Sequence, residues 1–232
     1  MRFSIAVIAR NEARTLPRLL ASLSDFQQRG GEIVVVDTGS TDGTPDIARQ
    51  AGCRVFEVGD RFRITIDAPT AELLNRQFVV DGDEPIVKAG DQTFDFASAR
   101  NYAASLATHD FVAMPDCDEI YTAFQIDTVN ELLADETIDQ IDSIFVFSHD
   151  QWGNDGIKFR RARFYHRGRQ RWVGLQHEGL TGLDNPRRIL VDESIIRIEH
   201  WQNPETNRGQ YLTGLALDCH LHPESARNSH YF

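Results

Sequence analysis

The chain has 232 residues, 41% hydrophobic and 25% charged, enough for one full α/β core with at most a small appendage. A formal net charge of −11 argues against a dedicated nucleic-acid binder, whose surface would be basic. Cys53, Cys117 and Cys219 are scattered and lack zinc-finger spacing, so a reduced, cytoplasmic setting is the simpler expectation.

In chain order, Phe3-Ser4-Ile5-Ala6-Val7-Ile8-Ala9 predicts a first strand. A strand at this position, in place of a charged n-region and an apolar h-region, predicts no signal peptide. Arg10-Asn11-Glu12 follows, then a helix over 15–23 with Leu16, Leu19, Leu20 and Leu23 on one face. Residues 32–36 read as a second strand, apolar enough to be buried on both faces. It ends in Asp37-Thr38-Gly39-Ser40-Thr41-Asp42-Gly43-Thr44, a loop dense in turn and capping residues. A helix over 45–51 and a strand over 53–58 complete a β-α-β-α-β rhythm, which predicts a parallel sheet. The rhythm breaks over 59–93. There the alternating segments 61–66 and 77–80 predict an inserted hairpin or flap. A helix over 94–107 returns, and a short apolar strand over 109–114 follows. Beyond it lie a helix over 126–133, a strand over 143–148, a basic stretch from Lys158 to Arg171, and a strand over 194–201. Residues 207–221 read as a helix and 223–227 as the start of another, and the chain stops in mid-pattern: either this end caps itself against the domain or, the reading preferred, it is part of a longer helical protein. No apolar stretch approaches the ~20 residues of a membrane span.

The strand over 109–114 runs into Met114-Pro115-Asp116-Cys117-Asp118-Glu119. Ligands of open α/β sheets bind outside the carboxyl ends of the strands. Two carboxylates at i and i+2 there can be turned toward one point, and hard divalent cations seek oxygen ligands that usually include substrate phosphates. The plainer reading is a solvated loop or a helix cap, since an Asp-x-Asp triplet is weak as a pattern in so acidic a chain. Glu12 and Asp37 fall at the ends of adjacent strands, where a nucleoside would lie, although Glu12 also suits the first turn of a helix and Asp37 a turn. Cys117 is expected to point into the sheet. Glu119 is either a support for the acidic pair or a helix start. The basic stretch is a phosphate-binding segment, or a solvated face or hairpin balancing an acidic chain.

Five segments together resemble family 2 of the inverting GT-A glycosyltransferases, in the branch of small bacterial enzymes related to lipopolysaccharide-core glucosyltransferases. They are Ile8-Ala9-Arg10-Asn11-Glu12, the loop from Val34 to Thr44, Phe94-Asp95-Phe96-Ala97-Ser98-Ala99-Arg100-Asn101, Asp116-Cys117-Asp118-Glu119, and Trp172-Val173-Gly174-Leu175-Gln176-His177-Glu178. Five in this order are hard to obtain by chance. The stretch 59–93 is longer than the family's usual link.

The resemblance implies an α/β fold of GT-A (Rossmann-like) type: a mostly parallel sheet flanked by helices, with the inserted β hairpin or flap and a helical C-terminal tail. It implies a transferase domain over 1–202, with 59–93 inserted, and a helical extension over 203–232. The donor it implies is a nucleotide-diphosphate sugar held by Ala9, Asn11, Glu12, Asp37, Arg100 and Asp116. Asp118 would bind Mn²⁺ or Mg²⁺, with Asp116 beside it through water and His200 as a further ligand; a lone histidine is otherwise a packed or capped residue. Glu178 would be the general base, with His177 binding acceptor or standing in as base. The acceptor is an unnamed glycan, lipid-linked or protein hydroxyl. Any membrane acceptor would be met peripherally, from the cytoplasmic surface. Two other readings stay open: a nucleotidyltransferase, which would favour a Gly-rich basic loop after the first strand that is not here, and a non-catalytic scaffold of the same fold, which predicts a damaged acidic motif.

Overall fold

Strands buried on both faces need unbroken apolar sequence, and the first two strands have it. The computed structural model describes residues 1–80, 82–147, 156–201 and 211–224. Its elements in chain order begin with β1 (Phe3–Ala9), α1 (Leu16–Ser22), α2 (Ser24–Gln28), β2 (Glu32–Asp37), α3 (Thr44–Gln50) and β3 (Arg54–Glu57). Next come β4 (Arg63–Thr65), α4 (Ala68–Phe78), β5 (Gln92–Phe94), α5 (Phe96–Ser105), β6 (Phe111–Ala113), β7 (Glu119–Phe124) and α6 (Ile126–Leu132). The last are β8 (Gln140–Phe147), β9 (Lys158–His166), β10 (Arg171–Val173), β11 (Gly179–Thr181), β12 (Arg188–Leu190), β13 (Ile196–His200) and α7 (Tyr211–Leu221). They form two compact units, and the division falls within α5, between Ala99 and Arg100.

The first unit holds β1–β3, β6–β9, β12, β13 and helices α1–α3 and α6. Its strands lie in the order β3-β2-β1-β6-β9-β8-β13-β7, with β12 on the same edge of β8 as β13. From β3 to β6 every pairing is parallel; β9 then runs antiparallel to both β6 and β8, and β13 runs parallel to β8 and antiparallel to β7. The fold class is thus the α/β arrangement expected. On one side of the sheet α1 buries Leu16, Leu19 and Leu20, with Pro17 in its first turn where a missing N–H costs nothing. Phe3 stacks on Phe26 at 4.9 Å and meets Phe164 edge-on at 5.5 Å, tying α2 to two central strands. The parallel strands β1, β2 and β6 all end on one edge of the sheet, and the acidic loop leaves from that edge.

The second unit holds β4, β5, α4, β10, β11 and α7. Its core is Ile66, Ala71, Leu74, Val87, Leu175, Ala216 and Leu217. Helix α7 is apolar on nearly every side, and a Cβ on Gly214 would collide with the Gln176 amide and the Thr93 hydroxyl. The inserted stretch does carry a two-stranded antiparallel sheet, but β4 pairs with β5 and not with residues 77–80. Residues 77 and 78 end helix α4 instead. Asp67 caps that helix by accepting from the Thr70 N–H at 2.8 Å, and Pro69 sits in its first turn; this start signal outweighs the apparent alternation later on. Phe94 belongs to β5, so α5 begins two residues later than expected. Of the strand expected over 143–148 and the helices over 207–221 and 223–227, residues 148, 207–210 and 225–227 lie outside the described residues.

Candidate active site

The loops after β1 and β2 are sewn together by backbone N–H groups donating to short polar side chains. Asn11 N–H donates to Ser40 Oγ at 2.8 Å, Glu12 N–H to Thr44 Oγ1 at 2.8 Å, and Ala13 N–H to Asp42 Oδ2 at 3.0 Å. Asn11 returns the favour by accepting from the Thr41 N–H at 2.8 Å. It does so from φ +54°, a left-handed backbone that asparagine tolerates better than most residues. Ala9 lies directly opposite Asp37 in the β1–β2 register, and its carbonyl accepts from the Thr38 N–H at 2.9 Å.

Asp37 is only 2% exposed. Its Oδ2 accepts from the Gly39 and Ser40 N–H groups at 3.1 and 3.0 Å, which closes the turn. Its Oδ1 is buried and takes no hydrogen bond from the described residues. A buried carboxylate oxygen left open costs stability unless something donates to it. Glu12 lies near Asp42, Asp116 and Asp118. Burial lifts its carboxyl above the ordinary value and these neighbours push it further, against a hydrogen bond from Thr15.

At the end of β6 the two aspartates have different surroundings. Asp116 is held by arginines on both oxygens: Arg100 Nη2 donates to Oδ1 at 2.5 Å and Arg163 Nη2 to Oδ2 at 2.8 Å. Burial alone would raise this carboxyl, but Arg100, Arg163 and Arg161 hold it well below the usual range. Asp118 faces His200 instead, with Oδ2 and Nε2 3.1 Å apart. The Trp201 N–H donates to the Asp118 carbonyl at 2.7 Å, so the end of β13 fixes both backbone and side chain. Burial lowers the His200 imidazole, but the bond to Asp118 and the charges of Glu119 and Asp116 outweigh it and raise it. Cys117 points inward as expected, its thiol donating to the Ile8 carbonyl at 3.4 Å.

Residues 4–64 match the family model described as glycosyl transferase family 2. A 4,4'-diaponeurosporenoate glycosyltransferase of Staphylococcus haemolyticus is 46% identical over 55 residues, which are 24% of this chain and 14% of that protein. A TPR repeat-containing protein of Synechococcus elongatus is 33% identical over 116 residues, 50% of this chain and 20% of that protein. The matched stretches are thus a fifth or less of these relatives' lengths. The structure of S. aureus TarS superposes with a TM-score of 0.52 at 14% identity, covering 97% of this chain and 40% of that one. Over residues 4–64 the chain is thus similar to glycosyl transferase family 2. Its fold is that of the GT-A glycosyltransferases.

The residues expected at the donor, metal and catalytic positions fall in two places. Ala9, Asn11, Glu12, Asp37, Arg100, Asp116, Asp118 and His200 all lie in the first unit, and Asp118 meets His200 while Arg100 meets Asp116. His177 and Glu178 lie in the second unit, in the turn between β10 and β11. There the His177 Nε2 hydrogen-bonds the Tyr211 hydroxyl, and Gly174 takes φ +93°, where a Cβ would lie 3.4 Å from Asp218 Oδ2 and 3.5 Å from the Glu178 Cα. Among the described residues no three His, Cys, Asp or Glu side chains converge as a ready metal cluster. The donor set still suits a divalent ion. It offers one carboxylate, one imidazole and a crowd of acids whose mutual repulsion a cation would relieve.

Two residues were hidden in the sequence. Arg163, in the stretch whose plainer reading was a solvated face, has no exposed surface. Glu119 begins a strand and not a helix, and is equally buried. Their chemical signal was slight: Arg163 precedes the apolar pair Phe164-Tyr165, which marks the buried end of β9.

Proposed function

We propose that this protein is a metal-dependent inverting glycosyltransferase that moves a sugar from a nucleotide-diphosphate sugar to an acceptor hydroxyl, in cell-surface glycan or lipopolysaccharide synthesis. The observation that carries the reading is the pairing, at one sheet edge, of an open buried acceptor on Asp37 with the Asp118–His200 contact. Asp37 Oδ1 would accept from a base N–H or a ribose hydroxyl, with Ala9, Asn11 and Glu12 lining the nucleoside. Asp118 and His200 would hold Mn²⁺ or Mg²⁺, donor oxygens and water filling the other positions. When bound, the cation would neutralise charge on the departing nucleoside diphosphate. Because both Asp116 oxygens already accept from arginines, Asp116 would serve the ribose, or the ion through water, and not as a direct ligand. Arg100, paired with it, would add positive charge beneath the diphosphate.

Inversion requires a carboxylate that takes the proton of the acceptor hydroxyl as that oxygen attacks the sugar carbon. Glu178 has this role in our reading, and His177, anchored by Tyr211, binds acceptor or replaces it. We assign residues 1–202 to the transferase domain and 203–232 to a helical extension. Among the described residues no helix is long and apolar enough to cross a membrane. We place the reaction in the cytoplasm, at the inner face of the membrane when the acceptor is lipid-linked. The test is release of free nucleoside diphosphate from a panel of sugar nucleotides with Mn²⁺, comparing wild type with Asp118→Ala. Turnover of one donor, abolished in the variant, is expected. No turnover and no metal-dependent binding of any nucleoside diphosphate would replace this reading with a scaffold role.

A further inference from the structure

A fully buried guanidinium must find buried counter-charge and spend its N–H groups well. Arg163 does so through both Nη atoms at one place, while its Nε has no hydrogen-bond partner among the described residues. Its Nη1 donates to the Met114 carbonyl at 3.1 Å, and its Nη2 donates to Asp116 Oδ2 at 2.8 Å and to Glu119 Oε1. Its own carbonyl accepts from the Met114 N–H at 2.9 Å, so β9 grips the end of β6 through main chain and side chain together. Glu119 completes the ring: its Oε2 accepts from the Asp116 N–H at 3.1 Å. The acidic loop leaves the sheet at Met114 and re-enters it at Glu119, and the Arg163–Glu119 pair ties those two points to each other and to Asp116 between them.

We infer that Arg163 and Glu119 are a positioning pair that presets the Asp116–Asp118 loop for the donor. The inference rests on the transferase reading above. Neither side chain is accessible to a ligand, since both are 0% exposed. They act through Asp116 and through the backbone that presents Asp118. A buried ion pair is a weak source of net stability, because desolvation offsets most of its attraction; what it supplies here is geometry. A planar fork can bond Met114, Asp116 and Glu119 at once, whereas an ammonium would have to choose among them.

The test uses the full chain and three forms: wild type, Arg163→Met combined with Glu119→Leu, and Arg163→Lys. The double substitution removes both charges together and leaves neither unpaired, so cooperative melting near the wild-type temperature is expected. Two quantities are measured. The first is Mn²⁺-dependent affinity for UDP and GDP by calorimetry. The second is amide exchange of residues 116–119 against that of β1 and β2. Affinity should fall about tenfold or more in the double variant, and exchange of the loop should rise about tenfold while β1 and β2 keep their protection. Arg163→Lys should lie between the two, and serves alone if the double variant does not fold. Unchanged affinity and loop exchange in a folded variant overturns the inference; so does a rise in exchange spread equally over β1 and β2, which marks a merely structural role. If wild type binds no nucleotide, the transferase reading falls, and the exchange comparison decides the positioning role by itself.

Discussion

Glu32 begins β2 at the sheet edge opposite the candidate site, and its carboxylate is over-supplied with donors. It accepts from Ser4 Oγ at 2.5 Å, from the Thr108 N–H at 2.7 Å, from Thr108 Oγ1 at 2.8 Å and from the Arg54 guanidinium. Burial would raise this carboxyl, but the bonds from Ser4, Thr108 and Arg54 win and bring it from 4.5 to about 2. The fold therefore favours the ionised form. Its contribution is complete above about pH 4.5 and is lost as pH falls through about 2. At ~1.4 kcal/mol per pH unit, that interval is worth roughly 3 kcal/mol. The side chain is 11% exposed, so solvent screening takes only a small part of it. Glu32→Gln keeps the shape and removes the charge. Urea unfolding followed by circular dichroism should show the variant less stable by up to about 3 kcal/mol at pH 7, with the gap narrowing below pH 4.5 and closing toward pH 2. A gap equal at pH 3 and pH 7 would refute the assignment of the stabilisation to charge.

Phe26 is fully buried against Phe3, so Phe26→Ala should cost about 3–5 kcal/mol in the same assay. Asp67→Ala removes the N-cap of α4 and should cost about 1 kcal/mol; Asp67→Asn should recover most of it. At Gly39, φ is +95° and a Cβ would sit 3.3 Å from Arg10 Nη1 and 3.4 Å from the Gly59 backbone. Gly39→Ala should therefore lower the melting temperature by a few degrees, from about 1–2 kcal/mol of strain, and weaken nucleotide binding by disturbing the amide that Asp37 holds.

Most of the parallel core was legible because its strands are fully buried and so nearly uninterrupted in apolar sequence, as in Ile33-Val34-Val35-Val36. The inserted stretch was misjudged for a local reason. Residues 77–80 look like the start of a strand when read alone, yet they inherit a helix begun ten residues earlier by Asp67 and Pro69. The site divided along a similar line. Glu12, Asp37, Asp116 and Asp118 announce themselves as acids at predicted strand ends. Arg163 and Glu119 do not, because a charged residue in a basic or acidic run gives no sign of being buried; only the pairing of β9 between β6 and β8 puts Arg163 inside. His200 was visible as a residue, but its partner became visible only when β13 was laid beside β7, opposite Glu119 and within reach of Asp118.

That arrangement makes the two aspartates of the acidic triplet unequal. The carboxylate of Asp116 is already neutralised by Arg100 and Arg163, and a cation added to it would have to displace guanidiniums from a buried network. Asp118 faces His200 instead, and the contact favours the protonated form of that imidazole. On the proposed reading an ion would take a proton's place at this contact without unpairing a buried group, because a neutral imidazole can itself serve as a ligand. On the proposed reading the arginines keep Asp116 from direct metal ligation and leave Asp118 and His200 as the pair able to exchange charge, and this is why Asp118→Ala, and not a substitution of Asp116, is the variant that tests the reaction.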